Sequence, residues 1–212
     1  MTGAAFLDRD GVINQMVYYP EHGIVDSPFT FKQFNLMPGV GYSLRRLERL
    51  GYKLIVISNQ PGIAKGHFTE ETFEKISHKM RMELEKYDVK LDGEYYCLHH
   101  PSAKRLVYRL NCECRKPKPG LILKAAKEHN IDLAGSLMIG DGLVDVKAGK
   151  LVGCTTILIG SVNSLLTRLM KDLDAEPDFV VHSIDEVANL VERLKIPRER
   201  DHQKHAVQVR LC

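Results

Sequence analysis

Two carboxylates one residue apart, Asp8 and Asp10, close the apolar run Ala4–Leu7 in the stretch FLDRDGVIN, and Gly11 follows them. Like charges this close repel unless a cation or a shared proton relieves them, so the pair reads as chemistry more than as scaffold. A further carboxylate, Asp141, comes just after the apolar run 137–139 and Gly140, with Asp145 four residues on. Asp141 set beside Asp8 and Asp10 would supply the oxygen donors that a hard divalent cation takes. Asp145, one turn into the next helix, is expected to orient its neighbours. Ser58, Asn59 and Gln60 follow a second apolar run, residues 53–57. A hydroxyl and an amide there suit a phosphate, and they suit a turn equally well.

Soft ligands form a second constellation. Cys97-Leu98-His99 is separated by twelve residues from Cys112-Glu113-Cys114. Three thiolates and one imidazole in two close pairs make a four-ligand tetrahedral zinc site. His100 is adjacent, but the Cys-x-His spacing favours His99. With four protein ligands the zinc has no open position and is expected to be structural. Zinc binding of about 10–16 kcal/mol is ample to order the intervening loop. Arg115 and Lys116 follow the last thiolate, with Lys118 two residues later. Cations tethered in this way suit an anionic substrate.

These residues need elements to hold them. The runs 4–7, 53–57, 95–97, 137–139, 155–159 and 179–181 lack alternation or are short and apolar, as strands buried on both faces are. Between them lie helical patterns. One starts at Pro38 and stops at Gly51, one is capped by Thr69, one runs from Pro119 to Asn130, and a last has a capping box in Ser183 and Glu186. Strands alternating with helices predict right-handed βαβ units and a parallel sheet, with the acids at the strands' carboxyl ends where such sheets hold ligands. Residues 15–36 have breakers at Pro20, Gly23 and Pro28 and no period of their own, as active-site lids often do. Residues 1–195 are read as one domain carrying the zinc loop 97–114, and residues 196–212 as a polar, flexible tail.

The chain has 212 residues, 44% of them hydrophobic and 27% charged, enough for one such domain with a core. A net charge of +3 is too small to argue for nucleic acid or an anionic membrane. No apolar run approaches the ~20 residues of a membrane span, and no basic-then-apolar leader is evident. A cytoplasmic location and a monomer are expected. The five cysteines, odd in number and locally spaced, fit metal better than disulfides.

Taken together, DRDGVIN, ISNQ, CRKPKPG and GDGLVD resemble, in order, the four motifs of the haloacid dehalogenase-like (HAD) phosphatases. Within that superfamily the chain resembles the heptose-1,7-bisphosphate 7-phosphatases to about residue 192, through FLDRDGVIN, SNQPGIAKGHFTEE and the Cys/His block. The histidinol-phosphate phosphatases share the cysteine-histidine plan. The resemblance implies a capless α/β fold of the HAD-like, Rossmannoid kind: a central, mainly parallel sheet flanked by helices, with a zinc-binding loop inserted. It also implies Mg²⁺-dependent hydrolysis of a small phosphorylated sugar. Asp8 would be the nucleophile and Asp10 the acid/base, with Ser58 and Lys116 gathering the phosphoryl oxygens. Asp8, Asp10 (through its main-chain carbonyl) and Asp141 would hold Mg²⁺, and Cys97, His99, Cys112 and Cys114 would hold Zn²⁺. Substrate contacts are expected from Asn14, Glu21, His22, Gly23, Asn59, Gln60, Arg115 and Lys118, with Lys118 also second candidate for the phosphate cation. Gly142 stands where the heptose enzymes often carry a basic residue, and the chain has extra residues between Asn14 and Glu21. The rival activities are histidinol-phosphate hydrolysis and nucleic-acid 3′-dephosphorylation. A non-catalytic module is disfavoured because every acid and the lysine are present.

Overall fold

The computed structural model describes residues 2–194 and 208–211. The opening strand, β1 (Ala4–Leu7), is buried at every position. Ala5 and Leu7 face one hydrophobic cluster and Ala4 and Phe6 the other, which is why the run shows no alternation. A hairpin follows, β2 (Val17–Tyr19) against β3 (Ile24–Asp26). Then come α1 (Val40–Arg49), β4 (Lys53–Asn59), the single turn α2 (Gly62–Lys65), α3 (Glu70–Glu85) and β5 (Gly93–Cys97). The second half adds α4 (Gly120–His129), β6 (Leu137–Gly140), α5 (Leu143–Lys150), β7 (Thr155–Ile159) and α6 (Ser164–Asp172). It ends with β8 (Phe179–Val181), α7 (Ile184–Arg193) and β9 (Gln208–Leu211).

Seven strands form one sheet in the order β8-β7-β6-β1-β4-β5-β9, and every pair in it is parallel. The chain moves from β1 to β4 and β5 on one side, then returns to build β6, β7 and β8 on the other. That reversal leaves a crevice at the carboxyl ends of β1 and β6, the place where open α/β sheets take ligands. On one face α1, α3 and α7 contribute Leu44, Leu47, Phe73, Ile76, Met80, Val187 and Val191 to the core. On the other, α4 contributes Leu121, Ile122 and Ala125 and α5 contributes Ala148. The predicted parallel sheet flanked by helices is the fold observed, with no inserted cap domain among the described residues.

Several details differ from expectation. Residues 15–36, read as an aperiodic connection, carry the β2–β3 hairpin. Tyr19 is buried, stacks on Phe29 with ring centroids 4.1 Å apart, and takes the Phe29 N–H on its hydroxyl at 2.9 Å. Phe29 in turn meets His67 edge-on at 4.4 Å, so the hairpin is docked beside α2. Two helices, α2 and α6, and the strands β2, β3 and β9 had no sequence expectation. Thr69 caps α3 as predicted, accepting from Thr72 N at 3.2 Å. At α7 Ser183 accepts from Glu186 N at 3.3 Å, but the Glu186 carboxylate takes the N–H of His182 instead of completing the box at Ser183. Residues 208–211 pair with β5 as an edge strand; the remainder of the tail expected to be flexible, 196–207 and 212, lies outside the described residues. No described helix is long and apolar enough to cross a membrane.

Candidate active site

Asp8 continues β1 by one residue, its N–H bonded to Ile139 O of β6 at 2.9 Å. Lys116 comes from the segment after the cysteine pair and is 2% exposed. Its ammonium lies 3.0 Å from Asp8 Oδ1 and 2.5 Å from Asp145 Oδ1, and donates to Ile57 O at 2.7 Å. Burial alone would push this ammonium toward neutrality, but the charges of Asp145 and Asp8 outweigh it and hold its pKa above the ordinary lysine value. Asp145 is fully buried and ties two parts of the site together. One of its oxygens holds Lys116, and the other accepts from Gly142 N at 3.1 Å at the start of α5.

Asp141 approaches from the end of β6. Gly11 makes that possible: it has φ +80°, and a Cβ there would sit 2.0 Å from Asp141 Oδ2. Burial, then the charges of Asp8 and Asp145, push the Asp141 carboxyl up to about 7. Oxygens of Asp8, Asp141 and Asp145 lie within 4.8 Å of one another. With Asp145 taken by Lys116, Asp8 and Asp141 are the pair that a cation would relieve, and the donor set is the oxygen-only kind that Mg²⁺ takes. The Asp10 carboxylate is not in this group.

Asp10 is instead gripped from behind. Asn14 Nδ2 donates to it at 2.9 Å, and Gln60 Nε2 and the Arg9 guanidinium donate as well. Asn14 and Gln60, expected at the substrate, are therefore committed to Asp10. Asn59, also expected there, lines the pocket but spends its amide on the main chain of Lys116. The pocket is an open cleft lined by Asp8, Asp10, Met16, Asp26, Ser27, Ser58, Asn59, Pro61, Arg115 and Asp141.

Glu21, His22 and Gly23 form the exposed tip of the β2–β3 hairpin and are absent from that lining. The hairpin reaches the pocket through its other end, Asp26 and Ser27. Lys118 points away, paired with Glu113 at 2.8 Å and Asn111 at 3.3 Å, so Lys116 is the lysine that meets Asp8. Met16, Asp26, Ser27 and Pro61 had no mark in the sequence beyond their place in loops. Arg9 did: a charged residue between two acids, continuing a strand with both faces buried.

The thiol cluster assembles as predicted. Cys114 Sγ lies 3.3 Å from Cys97 Sγ, 3.2 Å from Cys112 Sγ and 3.4 Å from His99 Nδ1. The Cys114 sulfur, ahead of the other neighbours, holds the Cys97 thiol down at about 6. Four soft donors in this grouping fit zinc. His99 lies in the cluster, whereas His100 is outside it, its Nδ1 accepting from Ser102 N at 3.1 Å. The cluster touches the cleft: Arg115 donates to His99 O at 3.3 Å, and Gln60 N to Cys97 O at 2.8 Å.

Comparison with known proteins decides the family. A HAD-hydrolase-like family model matches residues 113–187. The chain is 39% identical over 199 residues to the D-glycero-β-D-manno-heptose-1,7-bisphosphate 7-phosphatase of Haemophilus influenzae, covering 92% of this chain and all of that one. The chain belongs to this family of HAD phosphatases. The Escherichia coli K12 enzyme of the same name is 36% identical over 92% of this chain and 97% of its own. The crystal structure of the D,D-heptose 1,7-bisphosphate phosphatase of B. bronchiseptica, complexed with magnesium and phosphate, superimposes with a TM-score of 0.73. It is 27% identical and covers 91% of this chain and 99% of that one. The family membership agrees with the motifs around Asp8, Ser58, Lys116 and Asp141.

Proposed function

We propose that this chain removes the 7-phosphate of D-glycero-D-manno-heptose 1,7-bisphosphate, through a phosphorylated Asp8. The observation that carries the chemistry is Lys116 Nζ at 3.0 Å from Asp8 Oδ1, at a cleft that Asp10, Ser58 and Asp141 also line. The sugar is supported by the names of relatives that match over nearly the whole chain.

An Asp8 oxygen attacks phosphorus as the bond from phosphorus to the sugar oxygen breaks, and Asp10 gives that oxygen its proton. Water then attacks the aspartyl-phosphate and Asp10 takes the water's proton. Inorganic phosphate leaves and the Asp8 carboxylate is restored. Dividing one difficult displacement into two is the gain of covalent catalysis. Lys116 keeps Asp8 aimed and offsets charge on the phosphoryl oxygens, and Ser58 Oγ donates to them. Arg115 grips the remainder of the substrate at the rim. Mg²⁺ suits Asp8, Asp141 and the Asp10 carbonyl, and when bound it cancels repulsion between carboxylate and phosphate. Zn²⁺ suits Cys97, His99, Cys112 and Cys114 and fixes the segment that carries Arg115 and Lys116.

The test is phosphate release from both heptose bisphosphate anomers, histidinol phosphate and fructose 1,6-bisphosphate, with Mg²⁺ present or chelated. A heptose bisphosphate should give the highest kcat/KM, only with Mg²⁺, and Asp8→Asn should lose at least about 10³-fold. A preference for histidinol phosphate would overturn the substrate. Full activity in Asp8→Asn would overturn the nucleophile.

A further inference from the structure

Arg9 lies between the two reactive acids in sequence, yet its side chain turns into the core and is fully buried. Its Nη2 reaches both oxygens of Asp10, at 3.1 and 3.2 Å, and donates to Gln60 Oε1 at 2.7 Å. Gln60 closes the frame, its Nε2 donating to Asp10 Oδ2 and, at 3.1 Å, to Ser58 Oγ. Behind the guanidinium, the rings of Phe73 and Tyr96 have centroids 5.7 and 6.0 Å from its carbon. Beyond them lies the buried Glu94 carboxylate, held by Arg81 at 3.0 Å and by the Tyr96 hydroxyl at 2.9 Å, while the ion-pair partner of Arg9 is Asp10 itself.

Stability does not call for this arrangement. Desolvating a guanidinium costs several kcal/mol, and well-packed apolar side chains often do as well or better in its place. What Arg9 supplies that a Met or Leu would not is a charged donor, Nη2, that straddles both Asp10 oxygens while Nε reaches Oδ1 at 3.4 Å. The carboxylate it locks is the one that must meet a departing oxygen, and proton transfer needs heavy atoms within about 2.6–3.2 Å.

We propose that Arg9, together with Gln60, is a positioning residue: it holds the Asp10 carboxylate in the orientation that delivers a proton to the leaving oxygen. The inference rests on the acid/base role given to Asp10 above. Arg9 touches neither phosphorus nor substrate, so its loss harms only those substrates whose leaving group needs the proton. A sugar or alkyl alkoxide needs it, whereas a dinitrophenolate departs without it.

The experiment compares kcat/KM, which covers the steps up to phosphorylation of Asp8, for glycerol 3-phosphate or the heptose substrate and for 2,4-dinitrophenyl phosphate. Arg9→Met should lower the first by about 10²-fold and the second by less than about fivefold, within the range of general-acid contributions. Equal losses on both substrates, or no loss on the alkyl phosphate, would overturn the proposal. Gln60→Leu leaves the buried charges in place and should show the same selectivity more weakly, and it carries the test if Arg9→Met does not fold. Asp10→Asn separates the two levels. If it fails to discriminate between leaving groups, the acid role itself falls. If it discriminates and neither Arg9→Met nor Gln60→Leu does, only the present inference falls.

Discussion

The side chain of Asn59 meets the main chain of Lys116 as one amide meets another across a β-ladder. Its Nδ2 donates to Lys116 O and its Oδ1 accepts from Lys116 N, both at 3.0 Å. The strand that ends one motif thereby fixes the backbone of the next, 57 residues away in sequence, and with it the ammonium beside Asp8.

Asn59→Ala should accordingly act on turnover. It leaves a main-chain donor and acceptor without partners, a cost of about 1–3 kcal/mol. A shift of about 1 Å in Lys116 is enough to cost about 10²-fold in rate. Steady-state kinetics should show kcat falling by about that factor, with KM changing little, and thermal unfolding should show a modest loss. A raised KM with unchanged kcat would mean instead that Asn59 serves the substrate directly.

Gly11→Ala tests the approach of Asp141. The added methyl falls on the Asp141 carboxylate, and φ +80° is left-handed, a region that costs a residue with a Cβ roughly 1–2 kcal/mol. Asp141 must withdraw, so Mg²⁺ titration by calorimetry should show affinity reduced at least about tenfold, with the far-UV circular dichroism unchanged. Wild-type affinity would show that Asp141 is dispensable for the ion.

The sheet was legible because β1, β4 and β6 are buried on both faces, which leaves long apolar runs whatever the neighbours are. The grouping of Cys97, His99, Cys112 and Cys114, and of Asp8 with Asp141, was legible because soft ligands in two close pairs and carboxylates after apolar runs have few other uses. The place of Glu21, His22 and Gly23 at the exposed hairpin tip was not legible, because a polar triplet in a loop says nothing of which way a hairpin leans. Its docking is set by Tyr19 on Phe29, a contact between residues ten apart with no periodic signature. The internal partners of Asn14, Asn59 and Gln60 were hidden for a related reason. An amide at a strand end can bind a ligand or hold a neighbour, and only the positions of Asp10 and Lys116 decide between these. The strand β9 is four residues of a polar tail, below what pattern can mark.

The thiol cluster should behave as a structural zinc site with consequences in the cleft. Metal analysis should find about one zinc per chain, lost in Cys112→Ser. Because Arg115 bonds His99 O and Gln60 bonds Cys97 O, the variant should also lose activity and melt earlier. A metal-free variant with wild-type kinetics would uncouple the cluster from the active site.

The Asp141 carboxyl predicts how pH acts on the metal-free protein. Its pKa is raised from 3.8 to about 7 by burial first, then by the charges of Asp8 and Asp145. The folded protein thus keeps a proton there that the unfolded chain has already released. The stability this contributes is full below pH 3.8 and lost as pH rises through about 7. In the presence of a chelator the melting temperature should fall between about pH 5 and about pH 8. The fall should be smaller in Asp141→Asn, whose amide imitates the protonated acid. Mg²⁺ binds the deprotonated carboxylate, so adding it should raise the melting temperature more at the higher pH than at the lower one. Equal stabilisation at both values, together with an unaltered pH response in Asp141→Asn, would show that repulsion among Asp8, Asp141 and Asp145 is not what the cation relieves.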